Sequence, residues 1–287
     1  MNGVDDPYGS AEVAVGNTGV TLTLSWAAKT DVGLKRPQNE DSLVAHPPIF
    51  AVADGMGGHA SGDVASAAVV AALGRITQVP VGPERIRAEL ENATRVIEAQ
   101  AELTGAAGGS TCVGVAITER DGQPYWLVFN IGDSRVYVAS PAGLRQLSVD
   151  HSVVQSLLDA GEISLEEAHT HPKRNVITRA IGFEASPVPD FWLIPAIPGE
   201  SILCCSDGLT KELSNEEIAL RFSSGMQPDV LVDRLVVDAL ALGGSDNISV
   251  IVVRVDAVHP ASEEHLPPGS GTSKGVESED WESTLPR

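Results

Sequence analysis

The sequence predicts an α+β fold built as a layered sandwich; two observations carry that prediction and a third places a candidate site on it. Short β-prone runs follow one another through links too short for a crossover helix, which makes them antiparallel hairpins. Helical segments come in pairs between groups of strands instead of alternating with single strands as βαβ units do. Aspartates recur at the ends of the apolar runs: Asp54 after 49–53, Asp133 after 126–131 and Asp207 after 202–205, while Asp246 opens the last run. That recurrence gathers carboxylates at one edge of a sheet.

Residues 1–19 are rich in Gly, Asp and Asn without a sustained period and read as a flexible N-terminal tail. Strands follow at 22–28, 42–45 and 49–53. The segment 64–76 is helical, with Ser61 or Asp63 as cap, and its Ala/Val content predicts burial nearly all round. A second helix starts at Pro83, a favoured first-turn position, and carries Ile86, Leu90, Ala93 and Ile97 on one face. Strands are predicted at 111–118, 125–131, 135–139 and 144–147, joined by tight links. The polar, helix-leaning stretch 150–182, punctuated by Gly161, Pro172 and Gly182, is an insertion placed between core strands. Strands near Phe191 and Ile202, helices at 215–221 and 228–242 and a strand at 248–255 complete a single domain over 20–257. The segment 258–287 is Pro-, Ser- and Glu-rich and reads as a disordered acidic tail.

With 43% hydrophobic and 4% aromatic residues among 287, the chain can bury one large core. A net charge of −20 argues against a nucleic-acid or anionic-membrane surface, which would want a basic stripe. Cys112, Cys204 and Cys205 lie in apolar runs with no zinc or C-x-x-C spacing, so they read as small buried hydrophobes in a reducing compartment. No stretch approaches the roughly eighteen continuous apolar residues of a spanning helix, and the N-terminus lacks a basic region followed by an apolar core. The expectation is a cytoplasmic protein without membrane insertion.

Gly55-Met56-Gly57-Gly58-His59-Ala60 matches the dinucleotide fingerprint literally. A second helix follows where that fingerprint needs a parallel strand, and Asp54 would set a negative charge beside the pyrophosphate. A nucleotide-binding oxidoreductase is therefore disfavoured. The glycines instead allow a tight turn that lets a backbone carbonyl reach a cation. Asp150-His151-Ser152 contains the residue types of a catalytic triad, but consecutive residues do not converge as a triad requires.

Any one Asp-Gly pair is also an ordinary turn dipeptide. Several carboxylates converging at strand ends would repel one another unless a cation lay between them, and oxygen-only ligands suit Mg²⁺ or Mn²⁺. Asp54-Gly55, Gly132-Asp133-Ser134-Arg135, Ser206-Asp207-Gly208 and Asp246-Asn247 occur in that order. Upstream stands Arg36-Pro-Gln-Asn-Glu40-Asp41; between come Gly109-Ser110-Thr111 and the run from His171 to Gly182. With these motifs the chain resembles the bacterial metal-dependent serine/threonine protein phosphatases of the PPM (PP2C-like) family, from about residue 24 to 255.

The resemblance implies a four-layer α-β-β-α sandwich: two central antiparallel sheets, helices on both outer faces, and 150–182 as a flap. It implies a binuclear Mn²⁺ or Mg²⁺ centre, with a third, weaker ion. Carried onto this sequence, Asp54 would bridge both metals, the Gly55 carbonyl would bind one, and Asp207 and Asp246 would hold the other. Asp133 matches the position that helps bind the third ion. Glu40 and Asp41 match positions that orient metal-bound water, and Arg36 matches the arginine that grips the substrate phosphate. Eukaryotic members carry a histidine directly after Asp-Gly as general acid; here that position is Met56, and His59 follows the bacterial pattern as the candidate acid. The implied function is hydrolysis of phosphoserine and phosphothreonine monoesters by a monomeric phosphatase opposing eukaryotic-like bacterial kinases. A pseudophosphatase that only binds phosphoproteins is the competing reading, and the full aspartate set weighs against it.

Overall fold

A computed structural model of the chain describes residues 8–17, 19–57, 61–183 and 187–260. The chain runs through β1 (Tyr8–Val15), β2 (Val20–Asp31), β3 (Asp41–His46), β4 (Ile49–Gly57), α1 (Gly62–Leu73), α2 (Pro83–Thr104), β5 (Gly108–Ser110), β6 (Cys112–Arg120), β7 (Gln123–Ile131), β8 (Arg135–Ser140) and β9 (Gly143–Gln146). It continues through α3 (Val153–Asp159), α4 (Leu165–Thr170), β10 (Asp190–Pro195), β11 (Ser201–Cys205), α5 (Asp207–Thr210), α6 (Asn215–Phe222), α7 (Pro228–Leu242) and β12 (Ile248–His259). One sheet has the order β1-β2-β12-β11-β8-β9 and the other β10-β7-β6-β4-β3, with β5 added beside β4. Among the described residues every strand pairing is antiparallel.

Three apolar clusters make the four layers. Leu22, Leu24 and Trp26 of one sheet meet Phe50, Val113, Val115 and Trp126 of the other between the sheets. On the outer face of the second sheet, α1 and α2 cover Ala51, Ala53 and Phe129. On the opposite outer face, α7 and its neighbours cover Leu203, Val250 and Val252. Each central strand is thus apolar on both faces, which is why these runs read as nearly continuous Val/Ile/Ala in the sequence.

The sequence signals for α2 act as expected. Pro83 sits in its first turn, Ile86, Leu90, Ala93 and Ile97 are buried, and Gly105 closes it in the left-handed conformation at φ 71°, donating its N–H to Ala101 O. Two expectations need correction. Tyr8–Val15, inside the segment expected to be a flexible tail, pairs along its whole length with Val20–Ala27. Ala11, Val13 and Val15 alternate with more exposed neighbours, so this is an edge strand with one half-buried face. The helix α1 is not covered all round either: Ala67 and Ala71 face solvent while Ala65, Val69, Ala72 and Leu73 are buried. The acidic segment expected from residue 258 starts inside β12, which runs to His259; beyond residue 260 it lies outside the described residues.

Candidate metal centre

The two sheets bring the aspartates to one edge of the sandwich. Asp54 lies near the end of β4 opposite Asp41, the first residue of β3. Asp207 follows the end of β11, and Asp246 precedes β12, whose Val250 pairs with Cys205. Asp133 follows β7 in the turn to β8. The antiparallel order sets a strand end beside a strand start each time, so residues distant in sequence share this edge.

Close backbone approach requires glycine at two of these junctions. A Cβ on Gly208 would lie 1.9 Å from the Asn247 carbonyl oxygen, so only glycine lets α5 press against the start of β12 and bring Asp207 beside Asp246. A Cβ on Gly55 would lie 2.1 Å from Gly62 O, where the first turn of α1 crosses β4. Gly55 N–H donates to Glu40 O at 3.1 Å. Thr111 holds the same strand end: Asp54 N–H donates to its Oγ1 at 3.1 Å, and its own N–H donates to Asp54 O at 2.9 Å.

Asn247 organises the loop that carries Arg36 and Glu40. Its Oδ1 accepts from Glu40 N–H at 2.9 Å, while its Nδ2 donates to Val32 O at 2.9 Å and Gln38 O at 3.0 Å. The arginine does not stand free above the centre. Arg36 forms an ion pair with Asp246, Nε to Oδ1 at 2.8 Å and Nη2 to Oδ2 at 2.9 Å.

The centre is a crowd of carboxylates. Burial, then the charges of Asp41, Asp207 and Asp133, raises Asp54 well above the ordinary carboxylate range. Asp41 is pushed up to about 7 by burial and by Asp207 and Asp246, against the pull of the Ser249 and Ser206 hydroxyls. Burial, Asp207 and Asp150 push Asp133 up to about 7 as well. Asp207 is raised by burial, with Lys211 opposing. Glu40 is raised by burial and Asp63. Asp246 goes the other way: burial would raise it, but Lys211, the Asn247 N–H and Arg36 together hold it low.

These features fit a hard divalent cation. The donors are all oxygens, and the crowding demands positive charge. Oδ1 of Asp207 is buried without a hydrogen-bond partner among the described residues. Among the described residues no three His, Cys, Asp or Glu side chains are drawn tightly enough to enclose one ion. A cation of the chain's own already bridges two of them: Lys211 Nζ lies 2.6 Å from Asp207 Oδ2 and 2.7 Å from Asp246 Oδ2.

Lys211 was not among the residues singled out from sequence, although its spacing of four from Asp207 is the signal of a helical ion pair. His59, with Gly58 and Ala60, lies outside the described residues. His151 is structural: Nδ1 accepts from Gly132 N–H at 3.2 Å, so Nε2 carries the proton toward Asp190 Oδ2 at 3.0 Å. No triad forms, because Asp150 instead takes Arg135, with Nη2 to Oδ2 at 2.6 Å, and Ser152 caps α3. A cleft of about 510 Å³ runs from Asp133, Asp207 and Lys211 toward Gln155, Arg174 and Glu216, between the centre and the insertion.

The family model described as protein phosphatase 2C matches residues 38–231. The chain is 40% identical over 249 residues to the serine/threonine protein phosphatase PstP of Mycobacterium tuberculosis, covering 82% of this chain and 46% of that protein. It thus spans about half the length of that relative. It is 36% identical to the serine/threonine phosphatase stp of Listeria monocytogenes, covering 79% of this chain and 94% of that one. A crystal structure of the catalytic domain of PstP in complex with two manganese ions superposes with a TM-score of 0.71 at 35% identity, covering 81% of this chain and 98% of that one. With a family model matching most of its length and relatives above one-third identity, the chain belongs to the protein phosphatase 2C family.

Proposed function

We propose that the chain is a metal-dependent phosphatase that hydrolyses phosphoserine and phosphothreonine monoesters in proteins. The single observation that carries this reading is the set of mutually repelling, buried and half-buried carboxylates at one sheet edge, with an unpartnered Asp207 oxygen among them. Asp54, the Gly55 carbonyl, Asp207 and Asp246 would hold two Mn²⁺ or Mg²⁺ ions, and Asp133 with Asp207 a third, weaker one. When bound, such ions supply a water of lowered pKa and positive charge for the phosphoryl oxygens.

The chain's own groups supply the rest. Glu40 and Asp41 flank the centre on the β3 side, where a carboxylate can orient a water by accepting its proton in a hydrogen bond. Arg36 presents a planar fork that matches two phosphate oxygens, and its present partner Asp246 marks how near the centre it reaches. His59 is the candidate donor of the proton to the leaving alcohol. The manganese-bound relative supports the choice of metal, and the relatives' names support serine/threonine phosphoproteins as substrates. The physiological counterparts would be eukaryotic-like bacterial kinases and their targets, met in the cytoplasm by a monomer. Among the described residues no helix is long and apolar enough to cross a membrane.

The test is phosphate release from a phosphothreonine peptide with Mn²⁺ and with EDTA. Turnover that needs the metal supports the reading. Metal binding without release from varied phosphopeptides would favour the pseudophosphatase.

A further inference from the structure

Lys211 joins Arg36 as a cation set against the aspartate cluster. Its ammonium bridges Asp207 Oδ2 and Asp246 Oδ2 at 2.6 and 2.7 Å, and its charge also reaches Asp54 and Asp133. It therefore pairs with two of the side chains that would hold the divalent ions and offsets part of the repulsion felt by the other two. Resting on the two-metal reading above, we propose that Lys211 is a displaceable internal counter-cation that competes with the divalent ion for Asp207 and Asp246, and so sets the metal concentration at which the centre loads.

The surroundings allow an exchange of this kind. The backbone of α5 is fixed, since Gly208 is pressed against Asn247 O and Lys211 N–H donates to Asp207 O at 2.8 Å. The lysine side chain is not fixed in the same way. It is 30% exposed and lines the same cleft as Glu216. A flexible four-carbon stem with a point charge can leave a carboxylate pair without moving the helix. An entering ion would bring a stronger charge to the same oxygens, and the ammonium would be repelled into the cleft. Displacing the ammonium breaks its two charge-assisted hydrogen bonds, in addition to whatever loading costs the Arg36–Asp246 pair, which weakens the affinity that the aspartates alone would give.

The experiment uses the full chain stripped with EDTA, with Mn²⁺ as probe. Free Mn²⁺ is followed by electron paramagnetic resonance in titrations of the wild type and Lys211→Met. In parallel, acetylation of Lys211 in the wild type by an amine-reactive acetyl ester is quantified by mass spectrometry with and without Mn²⁺. The expected result is at least ~10-fold tighter binding at one site in the variant. Lys211 labelling in the wild type should rise on adding Mn²⁺. Equal or weaker affinity in Lys211→Met overturns the proposal. So does labelling that Mn²⁺ leaves unchanged, and that measurement decides alone if the variant does not fold. Absence of Mn²⁺ binding to both proteins overturns the two-metal reading together with the proposal, a pattern distinct from equal binding.

Discussion

Asp41 and Asp54 are direct partners across the β3–β4 ladder, so their side chains leave the same face of the sheet one strand spacing apart. Like charges so placed destabilise a sheet unless something positive stands against them. Asp41 is pushed up to about 7, and Asp54 well above its ordinary range. The pair is thus built for a cation, and its stability should depend on what neutralises it.

In EDTA the chain should lose stability as pH rises. Asp41 and Asp133 titrate near 3.8 when unfolded and about 7 when folded, so the folded state binds the extra protons. That contribution is fully present below about pH 4 and is lost as pH rises through about 7. Melting temperature measured in EDTA should fall across this window, and saturating Mn²⁺ should remove the fall by taking the protons' place. A melting curve in EDTA that rises between pH 5 and 8 would count against the cluster as described.

Gly208→Ala should uncouple Asp207 from Asp246. The new methyl would meet the Asn247 carbonyl at 1.9 Å, a backbone contact that no side-chain rotation relieves. Urea unfolding should show a loss of about 1–3 kcal/mol. Mn²⁺ affinity should fall with it, because both ligands are displaced.

Arg36→Lys should lower kcat/KM on a phosphopeptide by about 10–100-fold, since the fork that reads two oxygens is replaced by a point charge. The same change should leave the fold intact, because Arg36 is half exposed. Steady-state kinetics with a circular dichroism melt separate the two effects.

The insertion should sort peptides through its outer part only. Its ends are built into the core: Ser110 bridges Ile181, Ser152 bridges Ile177, and His151 ties Gly132 to Asp190. Replacing α4, whose Leu165 is exposed, should change preference among phosphopeptides while turnover of a small aryl phosphate stays within about 2-fold of wild type. His151→Phe should instead destabilise the whole chain by about 1–3 kcal/mol, by leaving the buried Gly132 N–H without its acceptor.

The strands and long helices were legible because their burial is simple. Strands such as Val113–Ile117 are apolar on both faces, and α2 alternates Ile86, Leu90, Ala93 and Ile97 toward one side. The aspartates were legible because each ends or opens such a run. The first strand escaped because its inward residues, Gly9, Ala11, Val13 and Val15, are no larger than valine and its outward ones mix Tyr8 and Ala14 with Ser10 and Glu12, so no strong apolar alternation stands out. The short helix α5 escaped because it is held by tertiary contact at Gly208, with no apolar period of its own. The partners of Arg36 and His151 depend on which loops the sheets bring together, 210 and 39 residues away in sequence. Lys211 was within reach of sequence reasoning through its four-residue offset, but a lysine beside metal-type aspartates reads as a surface ion pair until the burial is seen.

The most direct measurement is calorimetric titration of Mn²⁺ into the EDTA-stripped chain and into Asp54→Asn, with phosphate release from a phosphothreonine peptide assayed on the same samples. The expected result is at least two sites in the wild type, loss of binding in the variant, and release that rises with occupancy in the wild type alone. Undiminished binding and release in Asp54→Asn would contradict it.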